Sequence, residues 1–319
     1  MTNNVSAIKF GTDGWRAVVG QDFNFENVET VTKAIAQYIL EKDGVEKPVI
    51  IGYDPRNMAY EFAQFSAKIL SQAGFKVTLS DTVVPTPVLA YNAKILDADA
   101  LMFTASHNPP EYLGIKFIPD YAGPATTEIT NAIVENIKNI DSISFSPSQI
   151  FEIEQKSFKE PYFKHIESII DFEKIREYFT REDDDGEIIY DGLYSASIGY
   201  FDELLKRNNI SFESLHMNHD PDFGGGMPEP KAKYLHELIE LITHRTSAIG
   251  LSNDGDGDRF GVINEKAEYV TPNEIIALLL GHLIKNKGFS GKLVKTVGAS
   301  RMLDIIAKLY DIDIVETPV

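Results

Sequence analysis

Between residues 252 and 259 the chain reads Ser252-Asn253-Asp254-Gly255-Asp256-Gly257-Asp258-Arg259. Three carboxylates at alternate positions, separated by glycines, gather hard oxygen ligands on a pliable backbone. Left alone they repel one another, so a divalent cation is their natural neutraliser. A cation fed by so few protein groups suits Mg²⁺, with substrate or phosphate oxygens completing its shell. An EF-hand is the obvious rival, since Asp254, Asp256, Asp258 and Glu265 fall at positions 1, 3, 5 and 12 of such a loop. Arg259 stands where that loop requires glycine, and the flanks read as strands, so the EF-hand is rejected. The bland alternative is an acidic turn between two strands.

A second segment, Thr104-Ala105-Ser106-His107-Asn108-Pro109-Pro110, follows an apolar run, where α/β folds place reactive loops. Ser106 is a candidate nucleophile and the two prolines stiffen the loop. Neighbouring Ser and His rarely face each other, and no G-x-S-x-G elbow is present, so a hydrolase triad is not supported. Read alone, the segment is equally a polar turn. Two cations stand out: Arg16 at the end of the turn-rich Gly11-Thr12-Asp13-Gly14-Trp15-Arg16, and Lys116 inside the apolar Gly114-Ile115-Lys116-Phe117. Such a lysine is ordinarily a snorkelling surface residue. It gains acid–base interest only if it faces Ser106. The seven histidines lack metal-ligand spacing, and Asp183-Asp184-Asp185 reads as a solvated turn.

Positioning these loops requires an α/β framework, and short apolar runs do alternate with amphipathic stretches along most of the chain. Helices are expected at 28–40, 60–72, 87–96 and 127–137, with strands at 48–52, 75–79, 98–103 and 115–118. Gly74 sits where a left-handed helix C-terminus belongs. Periodicity fades from about residue 140 and resumes with strands at 187–190, 214–217 and 247–251 and helices at 199–207 and 232–243. A hairpin over 259–270 then precedes a helix opened by the capping box Thr271-Pro272-Asn273-Glu274. A strand, helix and strand follow to residue 316. This divides the chain into consecutive α/β/α units: 1–145 with the serine loop, 146–253 ending at the acidic loop, and a lean, incomplete third unit, 254–319.

Composition bounds the partners. The 319 residues are 43% hydrophobic and 24% charged, an ordinary globular balance. Thirty basic against 48 acidic side chains leave a net charge of −18, which argues against nucleic acid or an anionic membrane as partner. No cysteine is present, excluding disulfides, zinc-thiolate centres and thiol nucleophiles. The N-terminus is not a signal peptide and no apolar run is long enough to span a bilayer, so a cytoplasmic location is expected.

Taken together, FGTDGWR (10–16), TASHNPP (104–110), GIKF (114–117), DPDFGGGMPEP (220–230) and DGDGDR (254–259) resemble, in order, the motifs of the α-D-phosphohexomutases, the phosphoglucomutase/phosphomannomutase superfamily. The resemblance implies that Ser106 is the phosphorylated serine, which also contributes an oxygen to the metal. It implies Asp254, Asp256 and Asp258 as Mg²⁺ ligands and Lys116 as the general acid/base. It sets His107 and Arg16 at the reacting centre, and Thr12 and Arg259 on substrate or phosphate. The implied reaction interconverts hexose 1-phosphate and hexose 6-phosphate, for glucose or mannose, through a hexose 1,6-bisphosphate. The implied partner is thus a small phosphosugar, and the oligomeric state is left open.

Departures accompany the resemblance. Leu113 stands where a polar residue often precedes the Gly of GIKF, and Ser195 and Ser197 stand where glycines are common. The family has four domains, whereas no sugar-contacting or distal-phosphate loop is recognised here. The chain stops at Thr317-Pro318-Val319, the opening of a motif that continues Gly-Phe-Lys in the family. A C-terminally truncated member of low activity is therefore expected. Phosphoglucosamine mutase and a non-catalytic phosphosugar- or partner-binding fragment are the alternatives. An aspartyl phosphatase is disfavoured, because it gives the serine loop no role.

Overall fold

The computed structural model describes residues 8–12, 14–180, 186–245 and 247–318. The Asp183–Asp185 turn lies outside them. The first unit contains β1 (Trp15–Val18), α1 (Phe25–Asp43), β2 (Val49–Tyr53), α2 (Ala59–Gln72), β3 (Val77–Ser80), α3 (Thr86–Leu96), β4 (Asp99–Phe103), β5 (Tyr112–Ile118), α4 (Thr127–Lys138) and β6 (Glu154–Lys156). Its sheet runs β1-β5-β4-β2-β3-β6, with β2, β3, β4 and β6 parallel and the β1–β5 side antiparallel. β2 and β4 are buried along their whole length, as their unbroken apolar runs require when helices cover both faces. Ile51, Leu101, Phe103 and Phe117 pack towards α1 and α2, while Ile50, Ala100, Met102 and Ile118 pack the other way. Asn24 caps α1 by accepting the Asn27 N–H, and Gly74 adopts φ +97° directly after α2.

Two helices not read from the sequence, α5 (Lys159–Ile169) and α6 (Phe172–Phe179), bridge to the second unit. α5 packs Tyr162, Phe163 and Ile166, and the eight-residue α6 packs Phe172, Ile175 and Phe179, against the neighbouring cores, although only Phe163 is fully buried. β7 (Glu187–Asp191), α7 (Phe201–Arg207), β8 (Phe212–Leu215), α8 (His236–Thr243), β9 (Ala248–Asn253), β10 (Phe260–Ile263) and β11 (Tyr269–Val270) build the second sheet, ordered β11-β10-β9-β7-β8. Two strand pairings cross the expected unit borders. β6 hydrogen-bonds to β3, so a strand from beyond residue 145 joins the first sheet. The β10–β11 hairpin pairs with β9, so the second unit runs through Val270 and the acidic loop lies inside it, not at its border.

The third unit holds α9 (Pro272–Lys285), β12 (Leu293–Thr296), α10 (Met302–Leu309) and β13 (Ile314–Thr317), with β12 and β13 as a two-stranded parallel sheet. The capping box forms as expected, Thr271 and Glu274 bonding each other's backbone. Among the described residues no helix is long and apolar enough to cross a membrane.

In both large sheets the connections leave a central strand in opposite directions: from β2 to β3 and back to β4, and from β7 to β8 and back to β9. Such switch points open a crevice beyond the strands' carboxyl ends, where α/β proteins bind ligands. Asp54 and Thr104 follow the first pair of strand ends, and Asp254 follows β9 in the second. The two crevices face each other.

Candidate active site

Ser106 lies two residues beyond Thr104, buried, in a left-handed backbone conformation with φ +52°. A non-glycine residue holds this conformation only where its surroundings over-determine it. Here they do. The Ser106 N–H donates to Thr104 Oγ1 at 2.8 Å, and that hydroxyl donates to Asp54 Oδ2 at 2.7 Å. Arg56 then spreads its guanidinium beneath the loop. Nη2 donates to the carbonyls of Ser106 and Asn108, both at 2.7 Å. Nη1 donates to those of Pro109 and Tyr112 at 2.8 and 3.0 Å, and Nε reaches Asp54 at 3.1 Å. The Arg56 and Asp54 side chains are wholly enclosed. Burial pushes the Asp54 carboxyl up to about 6, despite the opposing pull of Arg56 and the Thr104 hydroxyl.

The acidic loop meets this surface from the second unit. It closes as a tight turn, with the Asp254 N–H donating to Arg259 O and the Gly257 N–H to Asp254 O. Gly255 is bare for a reason: a Cβ there would stand 2.6 Å from the Ser106 carbonyl oxygen. The loop is tied to its own unit by Ala196 N–H to Gly255 O at 3.0 Å, and to the first unit by Thr86 N–H to Asp256 O at 2.8 Å. Gly257, at φ +72°, completes a turn that β-carbons would obstruct.

The three carboxylates gather as their spacing predicts, one oxygen from each lying within 4.8 Å of the others. Ser106 Oγ donates to Asp254 Oδ2 at 3.0 Å, and the Arg259 N–H donates to Asp254 Oδ1 at 2.9 Å. Thr86 Oγ1 donates to Asp256 Oδ2 at 2.6 Å, leaving the buried Asp256 Oδ1 without a protein partner. Burial, then the charges of Asp256 and Asp258, drive the Asp254 carboxyl well above its ordinary range. Crowded buried carboxylates with an orphaned oxygen are what a divalent cation would relieve, so the donor set fits one.

The remaining expected residues are placed with differing force. Lys116 on β5 reaches across to Asp258 Oδ2 at 3.2 Å, so it faces the site and is not a snorkelling surface lysine. Arg16 lies on strand β1, not in the turn before it; alternation buries Trp15 and Ala17 and leaves Arg16 half-buried, with Nη1 donating to Asn108 Oδ1 at 2.8 Å. His107 is partly buried with Nδ1 unpartnered. Burial and the nearby positive charge of Arg259 lower its affinity for a proton. Arg259 is exposed, its Nε 3.9 Å from Asp258 Oδ1. Thr12 is exposed on the turn leading to β1, and among the described contacts it makes none with Ser106 or the aspartates. Leu113 is buried, so a polar side chain has no place there.

Sequence reasoning passed over Asp54, Arg56, Thr86 and Thr104 as functional residues. A signal existed for two of them: Asp54-Pro55-Arg56 follows directly on a buried parallel strand, the same location that drew attention to Ser106. Thr86, between two prolines at the start of α3, gave none, because its partner Asp256 lies 170 residues away.

Residues 7–144 match phosphoglucomutase/phosphomannomutase alpha/beta/alpha domain I, and residues 160–267 match domain II. A phosphoglucomutase of Komagataeibacter xylinus is 26% identical, over 98% of this chain and 60% of its own length. A Pyrococcus abyssi protein assigned as a phosphoglucosamine mutase is 31% identical, over 97% of this chain and 65% of its own. A crystal structure of a Thermus thermophilus protein assigned as a phosphomannomutase superposes with a TM-score of 0.87 at 28% identity, over 98% of this chain and 69% of that one. The chain spans between 54% and 65% of the length of the curated relatives it matches. With two matched domains joined at a serine loop and an acidic loop, the chain belongs to the α-D-phosphohexomutase superfamily.

Proposed function

We propose that this chain carries the phosphoserine and metal-binding parts of a phosphohexomutase. A phosphoryl group on Ser106 is exchanged with a hexose phosphate, interconverting the 1-phosphate and 6-phosphate of glucose or mannose through the 1,6-bisphosphate. One observation carries this reading above the others. The Ser106 hydroxyl, held in a left-handed bend, donates at 3.0 Å to a member of a three-carboxylate cluster.

In the first half-reaction the P–Oγ bond of phosphoserine breaks and a P–O bond to a sugar hydroxyl forms. The hydroxyl proton leaves with a base, and we assign that role to Lys116, which borders the cluster from the first unit and passes a proton on to the departing Ser106 Oγ. In the second half-reaction Ser106 Oγ gives its proton to Lys116 and forms a P–O bond to the phosphoryl group at the other end of the sugar; the P–O bond to the sugar breaks, and Lys116 returns a proton to the departing sugar oxygen. Phosphoryl transfer asks a protein chiefly for positioning and for positive charge around equatorial oxygens. Arg16, anchored on Asn108, and the exposed Arg259 provide such charge in a chain of net charge −18. Thr12 adds a hydroxyl donor and His107 a neutral edge beside the substrate. Asp254, Asp256 and Asp258 would hold Mg²⁺, which supplies charge neutralisation to the phosphoryl oxygens when bound. Glucosamine phosphate is the second reading, favoured by the Pyrococcus relative at 31% identity.

Intact-mass analysis with peptide mapping, after incubation with Mg²⁺ and glucose 1,6-bisphosphate, tests the chemistry. One added phosphoryl group on Ser106, absent in Ser106→Ala, is the expected result. A chain that acquires none under these conditions, or acquires it elsewhere, overturns the assignment.

A further inference from the structure

Each of the three aspartates is already engaged by the protein, Asp254 through both oxygens, since its Oδ2 also accepts the Ser106 hydroxyl at 3.0 Å. Asp254 Oδ1 accepts the Arg259 backbone N–H at 2.9 Å, Asp258 Oδ2 accepts Lys116 at 3.2 Å, and Asp256 Oδ2 accepts the Thr86 hydroxyl at 2.6 Å. The arrangement at Asp256 is the most constrained of the three. Asp256 is fully buried, and Thr86 holds it twice, through its backbone N–H to the Asp256 carbonyl at 2.8 Å and through its hydroxyl. Thr86 stands between Pro85 and Pro87 at the start of α3, and is itself buried. The flanking prolines and the backbone bond hold Thr86 in place, with its hydroxyl against Asp256. Oδ1, buried and without a partner, is the oxygen left to a ligand.

We propose that Thr86 is a specificity-determining residue of the metal loop. By occupying Asp256 Oδ2 it confines Asp256 to one-oxygen coordination and so favours a small octahedral cation over Ca²⁺. The inference rests on the reading that this loop binds a divalent cation. Its physical basis is the difference between the two ions. Mg²⁺ demands near-ideal octahedral geometry at short distances and is satisfied by single carboxylate oxygens with waters or phosphate. Ca²⁺ takes more oxygens at longer distances and readily recruits both oxygens of one carboxylate. An Asp256 freed to offer both oxygens removes that discrimination.

Calorimetric titration of the metal-free 319-residue chain with MgCl₂ and, separately, CaCl₂ tests this in wild type, Thr86→Val, Thr86→Ser and Thr86→Ala. Val keeps the branched shape and the backbone N–H but has no hydroxyl to donate. The ratio of Mg²⁺ to Ca²⁺ affinity should fall by about 10-fold in Thr86→Val, the scale at which ligand count and rigidity tune such sites. Thr86→Ser should keep the ratio within about twofold of wild type, because its hydroxyl can still reach Asp256. Should circular dichroism show Thr86→Val unfolded, Thr86→Ala carries the same comparison. An unchanged ratio in a folded hydroxyl-less variant, or equal losses for both cations, overturns the proposal. Failure of wild type to bind either cation removes the metal reading itself, and the proposal with it.

Discussion

Arg56 is where a single side chain matters most to the geometry. Five donor contacts, one to Asp54 and four to carbonyls of the 106–112 loop, leave this buried guanidinium fully employed. Lysine cannot reproduce a planar fork, and its compact, strongly hydrated head is costly to bury. Arg56→Lys should therefore destabilise the chain by about 3–5 kcal/mol, the range for breaking a buried hydrogen-bonded pair, as read from urea unfolding. Amide exchange in the 104–112 loop should accelerate even under conditions where β2 and β4 stay protected. Unchanged exchange there would show that the loop's shape is self-supporting. Ser106 illustrates the same logic from the other side, since its positive φ is tolerated because Thr104, Asp54 and Arg56 together fix the loop around it.

Strand ends set the chemistry at the scale of elements. The carboxyl ends of β2, β4 and β9 converge on the site, whereas the opposite edge of the first sheet carries a different charge cluster. Asp99 opens β4 fully buried, with Oδ1 accepting the Asp120 N–H at 3.0 Å and Oδ2 unpartnered. Burial pushes its carboxyl up to about 6, although Lys42 and Lys47 pull the other way. A carboxyl whose folded-state value is raised stabilises the protein in its protonated form. That contribution is present below the unfolded-state value near 4 and is lost as pH rises through about 6. Chain stability should therefore fall between about pH 3 and 7 by an amount of order 3 kcal/mol from this group. Asp99→Asn should flatten that stretch of the profile and raise the urea midpoint at the alkaline end of it. A parallel profile in the variant would show that other carboxylates govern the trend. Asp54 contributes in the same direction, so the slope should not vanish entirely.

Seen whole, the molecule is two complete α/β layers and a third unit that buries little. Leu278, Ile305 and Leu309 on its helices are 69%, 68% and 74% exposed, and Val294 on β12 is 64% exposed. The register of β12 and β13 sets Val294 beside Val315 on one face, while Lys295 and Glu316 lie on the other and join Asp304 of α10. The helix-facing side is thus closed by an ion-pair network and the opposite side is apolar and open. Contiguous apolar surface and unpaired strand edges favour association. Sedimentation velocity of the 319-residue chain should show concentration-dependent self-association, reduced by Ile305→Lys with Leu309→Lys. A monodisperse monomer at high concentration, with no dye-accessible apolar surface, would contradict this.

The α/β class, the order of most elements and the two loops that meet at the candidate site were legible in the amino-acid sequence. Those features are written locally: a buried parallel strand needs an apolar run, a helix start needs its cap, and a carboxylate cluster is visible as acidic residues at short spacing. Local patterns could not reveal the pairing of β6 with β3 or of β10 with β9, which carry the sheets across the expected unit borders. α5 and α6 are short and interrupted at Ile170–Asp171, so their apolar spacing at Tyr162, Phe163, Ile166, Phe172, Ile175 and Phe179 is a weak local signal. Tertiary structure alone decided how the site is held together. Lys116 meets Asp258 across 142 residues and Thr86 meets Asp256 across 170. Such contacts depend on two sheets presenting their switch points to one another, an arrangement fixed by the packing of the units and by no spacing within the chain.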